Sequence, residues 1–264
     1  MKLFSRLKAL IVGLACGICL SACGDGKYEA SSVALEVIAL NIADGANVAA
    51  LRADDANMEN NLISKQKGFL KRITAVGKDE VTQAKQYYIH VYWETMADAM
   101  HAAEVVSADP AGKVLFQYTK NPNGMDHYGH YEIGDATDRR SSAGISYPGL
   151  TDPKVSGPNV ALEVIALNIA DGADVNALKA ADLDMEQNLI SKQKGFLKRI
   201  TAVGKSELTQ APQYFIKVFW ESLDDALKAA EVVTADPRGK SAFPYLKNPD
   251  ALGHYGHYVL GATQ

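Results

Sequence analysis

Hydrophobic and polar positions change period in a readable order along the chain. Residues 33–42 (VALEVIALNI) are almost continuously apolar, as expected of a strand covered on both faces. Asp44-Gly45 breaks that run. Val48, Leu51, Met58 and Leu62 then recur at helical spacing, which predicts a helix ending near residue 67 with Gly68 as its stop. Residues 69–76 read as a second strand, 77–84 as a polar turn and 86–94 (QYYIHVYWE) as a third strand. Thr95 with Asp98 has the spacing of an N-cap and its N3 acid, and opens a second helix reaching about residue 106, before Asp109-Pro110. After an irregular stretch, residues 128–133 form a last strand.

The predicted order is β-α-β-β-α-β, the split βαβ or ferredoxin-like arrangement, with four antiparallel strands and two helices on one face. On the third strand Tyr87, Ile89, Val91 and Trp93 point one way, and Tyr88, His90 and Tyr92 the other. Both rows are too apolar for water. One meets the helices, so the other needs a second partner.

That partner is written in the same chain. Residues 33–134 align without a gap with residues 160–261, and about 70% of the aligned positions are identical. Between the copies, residues 135–158 have the Ser, Gly, Pro and charge content of a linker, leaving 159–264 as the second repeat. The expected fold class is α+β: two tandem ferredoxin-like βαββαβ units packing sheet-to-sheet as an intrachain pseudo-dimeric α/β barrel.

The first residues read as an export signal. Lys2, Arg6 and Lys8 precede an apolar stretch, residues 9–20, too short to span a bilayer comfortably. Leu20-Ser21-Ala22-Cys23-Gly24 follows and resembles the lipobox of bacterial lipoproteins. The resemblance implies a signal peptide over 1–22, a lipidated Cys23, a tether over 23–32, and the lipid bilayer as a partner. Gly24 directly after the cysteine, with Asp25 one place later, points to the outer membrane, facing the periplasm, by the sorting pattern of enteric lipoproteins. Cys16 and Cys19 would leave with the signal, so no disulfide framework is expected. A net charge of −4 without a basic block argues against nucleic acid as a partner.

Candidate chemistry lies on the strands. In His127-Tyr128-Gly129-His130-Tyr131 and His254-Tyr255-Gly256-His257-Tyr258, histidines three apart on a strand face opposite ways and cannot share an ion. His130 shares a face with Glu132, but Val259 replaces that acid in the second copy, and no metal is expected. One imidazole per copy could line a pocket as base or hydrogen-bond partner, or sit as a satisfied core histidine. Trp93 and Trp220 could wall a flat aromatic ligand or pack beside the second helix. Glu36 and Glu163, inside apolar strands, must be paired or have a raised pKa, and Arg72 and Arg199 on the neighbouring strand could pair with them. Asp55 and Asp182, on the apolar stripe of the first helix, pose the same alternative. His90 is matched by Lys217, so that position cannot hold one role in both halves. The candidate pocket residues are therefore Glu36, Trp93, Tyr128 and His130, with Glu163, Trp220, Tyr255 and His257. No phosphate loop, Ser-His-Asp series or zinc cluster is present in the sequence, and no cofactor is expected.

Gly68-Phe69, Tyr92-Trp93-Glu94-Thr95, an Ala-rich helix and a closing His-Tyr strand, repeated as Gly195-Phe196, Phe219-Trp220-Glu221-Ser222 and His257-Tyr258, resemble the antibiotic biosynthesis monooxygenase-like (ABM) group of the dimeric α/β-barrel superfamily. The resemblance implies a fused pseudo-dimer but leaves activity open, because the superfamily includes cofactor-independent oxygenases of polycyclic phenols, haem-degrading oxygenases and isomerases. The haem-degrading pattern does not carry over: Asn41 and Asn168 end their strand, Trp93 and Trp220 precede the helix, and His101 is matched by Lys228. Two functions remain in view. One is a membrane-anchored protein binding a small apolar or aromatic molecule; the other is a cofactor-independent monooxygenase acting on an aromatic substrate.

Overall fold

Apolar residues at alternate positions on both faces force each sheet to find two covers, and the computed structural model shows how. It describes residues 33–120, 124–133, 159–248 and 251–261. The lipobox with Cys23, the tether and the linker over 135–158 lie outside the described residues.

The first repeat runs β1 (Ala34–Asn41), α1 (Val48–Asn61), β2 (Phe69–Asp79), β3 (Lys85–Trp93), α2 (Met96–Ala108) and β4 (Met125–Glu132). The second runs β5 (Ala161–Asn168), α3 (Val175–Asn188), β6 (Phe196–Ser206), β7 (Pro212–Trp220), α4 (Leu223–Ala235) and β8 (Leu252–Leu260). All eight strands close into one antiparallel barrel in the order β1-β3-β2-β8-β5-β7-β6-β4. The sheets do more than face each other: their edges join by hydrogen bonds at two seams. β2 pairs with β8, setting Gly77 opposite Tyr258, and β4 pairs with β6, setting Tyr131 opposite Gly204. Closure removes the exposed edges that four-stranded sheets would present.

Alternation along the strands sorts the core into an inner and two outer layers. Leu35, Val37, Ala39, Tyr88, Tyr92 and Tyr131 meet Leu162, Val164, Phe215, Phe219 and Tyr258 inside the barrel. Tyr88 stacks on Tyr258 with ring centroids 4.7 Å apart, and Tyr131 lies 4.8 Å from Phe215. The opposite row of β3, Tyr87, Ile89, Val91 and Trp93, packs under α1 and α2 with Leu51, Met58, Ala99 and Ala102. The second repeat builds the same outer layer around Tyr214, Ile216, Val218 and Trp220.

Local differences from the sequence reading have local causes. Thr95 caps α2 by accepting from the Asp98 amide at 3.1 Å, and Ser222 caps α4 in the same way. α1 stops at Asn61 instead of reaching residue 67, because a 3₁₀ turn over Ile63–Lys65 follows, and Gly68 at φ +75° then turns the chain into β2. β2 continues through Gly77 to Asp79, three residues beyond the expected end. β4 starts at Met125 rather than residue 128, and the irregular stretch before it contains a 3₁₀ segment, Pro110–Tyr118. Among the described residues no helix is long and apolar enough to cross a membrane.

Candidate functional site

On β1, Glu36 lies on the outer row between Ala34 and Ile38, beneath the helices, where burial pushes its carboxyl above the ordinary range. The Trp93 indole N–H, from the end of β3, donates to its Oε2 at 3.1 Å. From β4, the Tyr128 hydroxyl donates to Oε1 at 3.4 Å, and His130 Nε2 lies 3.9 Å from the same oxygen. The second half repeats this with Glu163, Trp220 at 3.2 Å, Tyr255 at 3.4 Å and His257 Nε2 at 4.0 Å. The structure therefore brings the eight candidate pocket residues together as two clusters of four.

The expected Arg72–Glu36 and Arg199–Glu163 ion pairs do not form. Arg72 makes a bidentate pair with Asp55 of α1, and Arg199 with Asp182 of α3. Tyr87 and Tyr214 add hydroxyl donors to the same carboxylates at 2.8 and 2.7 Å. The helical acid faces the guanidinium squarely and accepts both of its terminal nitrogens, so it takes the pair from the strand acid. Glu36 and Glu163 keep only neutral donors and a nearby imidazole, and burial dominates their titration.

Sequence reasoning missed one further participant in each cluster. His130 Nδ1 lies 3.2 Å from Glu207 Oε1, and His257 Nδ1 lies 2.9 Å from Glu80 Oε1. Each glutamate follows the last residue of β6 or β2, so the turn of one repeat supplies the acid for the histidine of the other. Burial alone would raise Glu207, but the hydrogen bonds from His130 and Gln210 and the nearby Lys205 together outweigh it and bring the carboxyl below its usual value; His257, Gln83 and Lys78 do the same for Glu80. An ionised carboxylate only accepts, so Nδ1 carries the proton. That leaves Nε2 as the ring nitrogen open to a ligand, a buried atom with no hydrogen-bond partner in either half. A comparison of the two turns contained a signal for this. GKDEVTQ and GKSELTQ diverge on both sides of a glutamate common to both.

The other histidines turn inward. His127 stacks on His254 inside the barrel, 5.1 Å between centroids, confirming that His127 and His130 cannot meet at one ion. Burial, and then the neighbouring His254, push His127 down to about 3, so it stays neutral. Lys217 Nζ lies 2.8 Å from His90 Nδ1 and 3.1 Å from the Tyr92 hydroxyl, fully buried at the barrel centre. Burial, with a contribution from Lys71, holds that amine well below its ordinary value. A surface groove of about 440 Å³ is lined by Val160, Phe196, Leu197 and Glu221. It does not open onto His257 or Glu163, but its Phe196 wall packs edge-on against Trp220, 5.8 Å between centroids.

No family model matches the chain, and no curated protein does. Solved structures do. An anthrone oxidase-like protein superposes with a TM-score of 0.56 at 9% identity, covering 88% of this chain and 92% of that one. A chlorite dismutase candidate superposes at 0.53 with 10% identity, covering 89% and 96%. A monooxygenase candidate from Fusobacterium nucleatum reaches 0.49 at 11% identity, covering 89% and 94%. The fold is that of the dimeric α/β barrels. At these identities the likeness concerns architecture alone, and chemistry must be read from the clusters.

Proposed function

We propose that the chain is a periplasm-facing, membrane-anchored lipoprotein, built from tandem ferredoxin-like, ABM-like units, whose two clusters each bind a small aromatic molecule carrying an acidic hydroxyl. One observation carries the binding reading: a buried Nε2 lone pair, oriented by an ionised glutamate, with no partner of its own. Unpartnered buried acceptors are uncommon, and a ligand O–H would satisfy this one. Trp93 and Tyr128 supply flat apolar surface beside it, and Tyr128, the half-buried member, marks the side from which a ligand enters.

The chain contains only two tryptophans, one in each cluster, so selectively excited tryptophan emission reports on the sites. Titration with 1-naphthol or 2-naphthol, followed by calorimetry and tryptophan emission, should saturate at two ligands per chain. The double variant His130→Gln/His257→Gln should bind about tenfold more weakly, the worth of one hydrogen bond to a desolvated acceptor. No binding of either probe, or unchanged affinity in the double variant, removes this reading.

A cofactor-independent monooxygenase is the second reading, and the Glu207–His130 and Glu80–His257 dyads favour it. A base held by a carboxylate can take the substrate's acidic proton onto Nε2, leaving an electron-rich anion that reduces dioxygen, one oxygen atom bonding to the ring carbon and the other leaving as water. The anthrone oxidase-like neighbour lends this reading its fold and nothing more. Oxygen consumption in the presence of anthrone separates the two readings. The anchor has its own test: radiolabelled palmitate should enter the wild-type chain and not a Cys23→Ala variant, and label in both would remove it.

A further inference from the structure

The two halves differ most in chemistry where the starts of β4 and β8 meet the end of β2. Asp79 Oδ2 lies 3.7 Å and Asp126 Oδ2 3.2 Å from His254 Nδ1, and one ligand atom from each residue falls within 4.8 Å of the others. The equivalent positions around His127 are Ser206 and Gly253, which offer no carboxylate. A chain of hydrogen bonds fixes what His254 presents to its acids. Asp126 accepts from the Asn41 amide at 3.5 Å, Asn41 Oδ1 accepts from Gln86 at 3.0 Å, and Gln86 Oε1 accepts the Tyr258 hydroxyl proton at 2.6 Å. Tyr258 has then spent its only proton, so its oxygen must accept from His254 Nε2 at 2.8 Å. With its proton on Nε2, the ring turns the Nδ1 lone pair toward two carboxylate oxygens. Three ligand atoms, two of them on buried residues, converge where a cation can bridge them.

We propose that Asp79, Asp126 and His254 form a binding site for a first-row divalent metal ion, present once per chain. One imidazole and two carboxylates are a ligand set for ions such as Zn²⁺ and Mn²⁺. Ligands about 2.0–2.2 Å from a tetrahedral ion lie roughly 3.3–3.6 Å apart, close to the two distances from His254 Nδ1 to the carboxylates. The hydrogen bond from Nε2–H to Tyr258 is the outer-shell contact that holds a metal-binding histidine in its ligating tautomer. Asp126 is partly exposed and gives the ion a way in from solvent. Three protein ligands leave room for water or a small anion. The site uses the inward histidine and is independent of the outer clusters.

Chelator-treated full-length protein titrated with Zn²⁺ in a calorimeter should bind one ion per chain, and Co²⁺ should develop visible ligand-field bands. Asp126→Asn and His254→Gln should each weaken binding about a hundredfold or more, while His101→Gln, at an exposed histidine on α2, should not. If His254→Gln misfolds by circular dichroism, the isosteric Asp126→Asn decides. The absence of stoichiometric binding, or equal binding in Asp126→Asn, overturns the site and leaves a proton as the cation that His254 shares with its acids.

Discussion

Asp55→Ala should cost the fold about 3–5 kcal/mol, read as a fall in the urea midpoint without change in slope. Asp55 and Arg72 side chains are 3% and 1% exposed, so truncation strands a guanidinium that water cannot reach. The same change removes the acceptor of the Tyr87 hydroxyl, which is buried as well. Glu59 does not rescue the arginine, because its carboxylate stands 3.6 Å away at the edge of the helix. The matched apolar double change Asp55→Leu/Arg72→Met should cost far less than Asp55→Ala, since it removes both charges rather than orphaning one. Equal losses in the single and double variants would mean that the ion pair is not what holds α1 to β2.

Gly77→Val should destabilise the protein by about 3 kcal/mol, the upper end for overpacking, and Gly204→Val should match it. A Cβ on Gly77 would stand 1.9 Å from the carbonyl oxygen of His257, and one on Gly204 2.0 Å from that of His130. These atoms are backbone of the strand across the seam, so no rotamer change relieves the contact. The carbonyls belong to the two outward histidines, and opening a seam also displaces the imidazole from its glutamate. The variants should therefore lose ligand binding together with stability. Thermal unfolding and the 1-naphthol titration, run on the same preparation, check both.

Gly77 also shows where sequence reasoning stops. Within one repeat a glycine followed by polar residues reads as a turn, whereas here it is the point at which a strand from the other repeat approaches. The alternation in β3 was fully legible, because side-chain period depends only on the local backbone. Thr95 and Asp98 were legible for the same reason. The 3₁₀ segment over Pro110–Tyr118 was not: it is tied down by Tyr118 donating to Asp54 of α1 at 2.6 Å, a partner in another element. The four candidates of each cluster were found as apolar-strand oddities and aromatic closers. Their sequence positions could not say that Arg72 would choose Asp55 over Glu36, since strand and helix acids compete only once α1 is docked. Glu207 and Glu80 were marked only as the glutamate common to both turns, and their role was hidden because each serves the opposite repeat across a seam.

The proposed chemistry rests on which nitrogen of each histidine is bare, and long-range proton–nitrogen correlation of the imidazole rings measures this directly. His130 and His257 should appear in the Nδ1–H form with an unprotonated Nε2, while His127 and His254 should appear protonated on Nε2. Glu207→Gln should shift the His130 nitrogens and leave the His257 nitrogens in place. An Nε2–H form at His130 and His257 would contradict the account, because the lone pair offered to a ligand would then be tied up against glutamate.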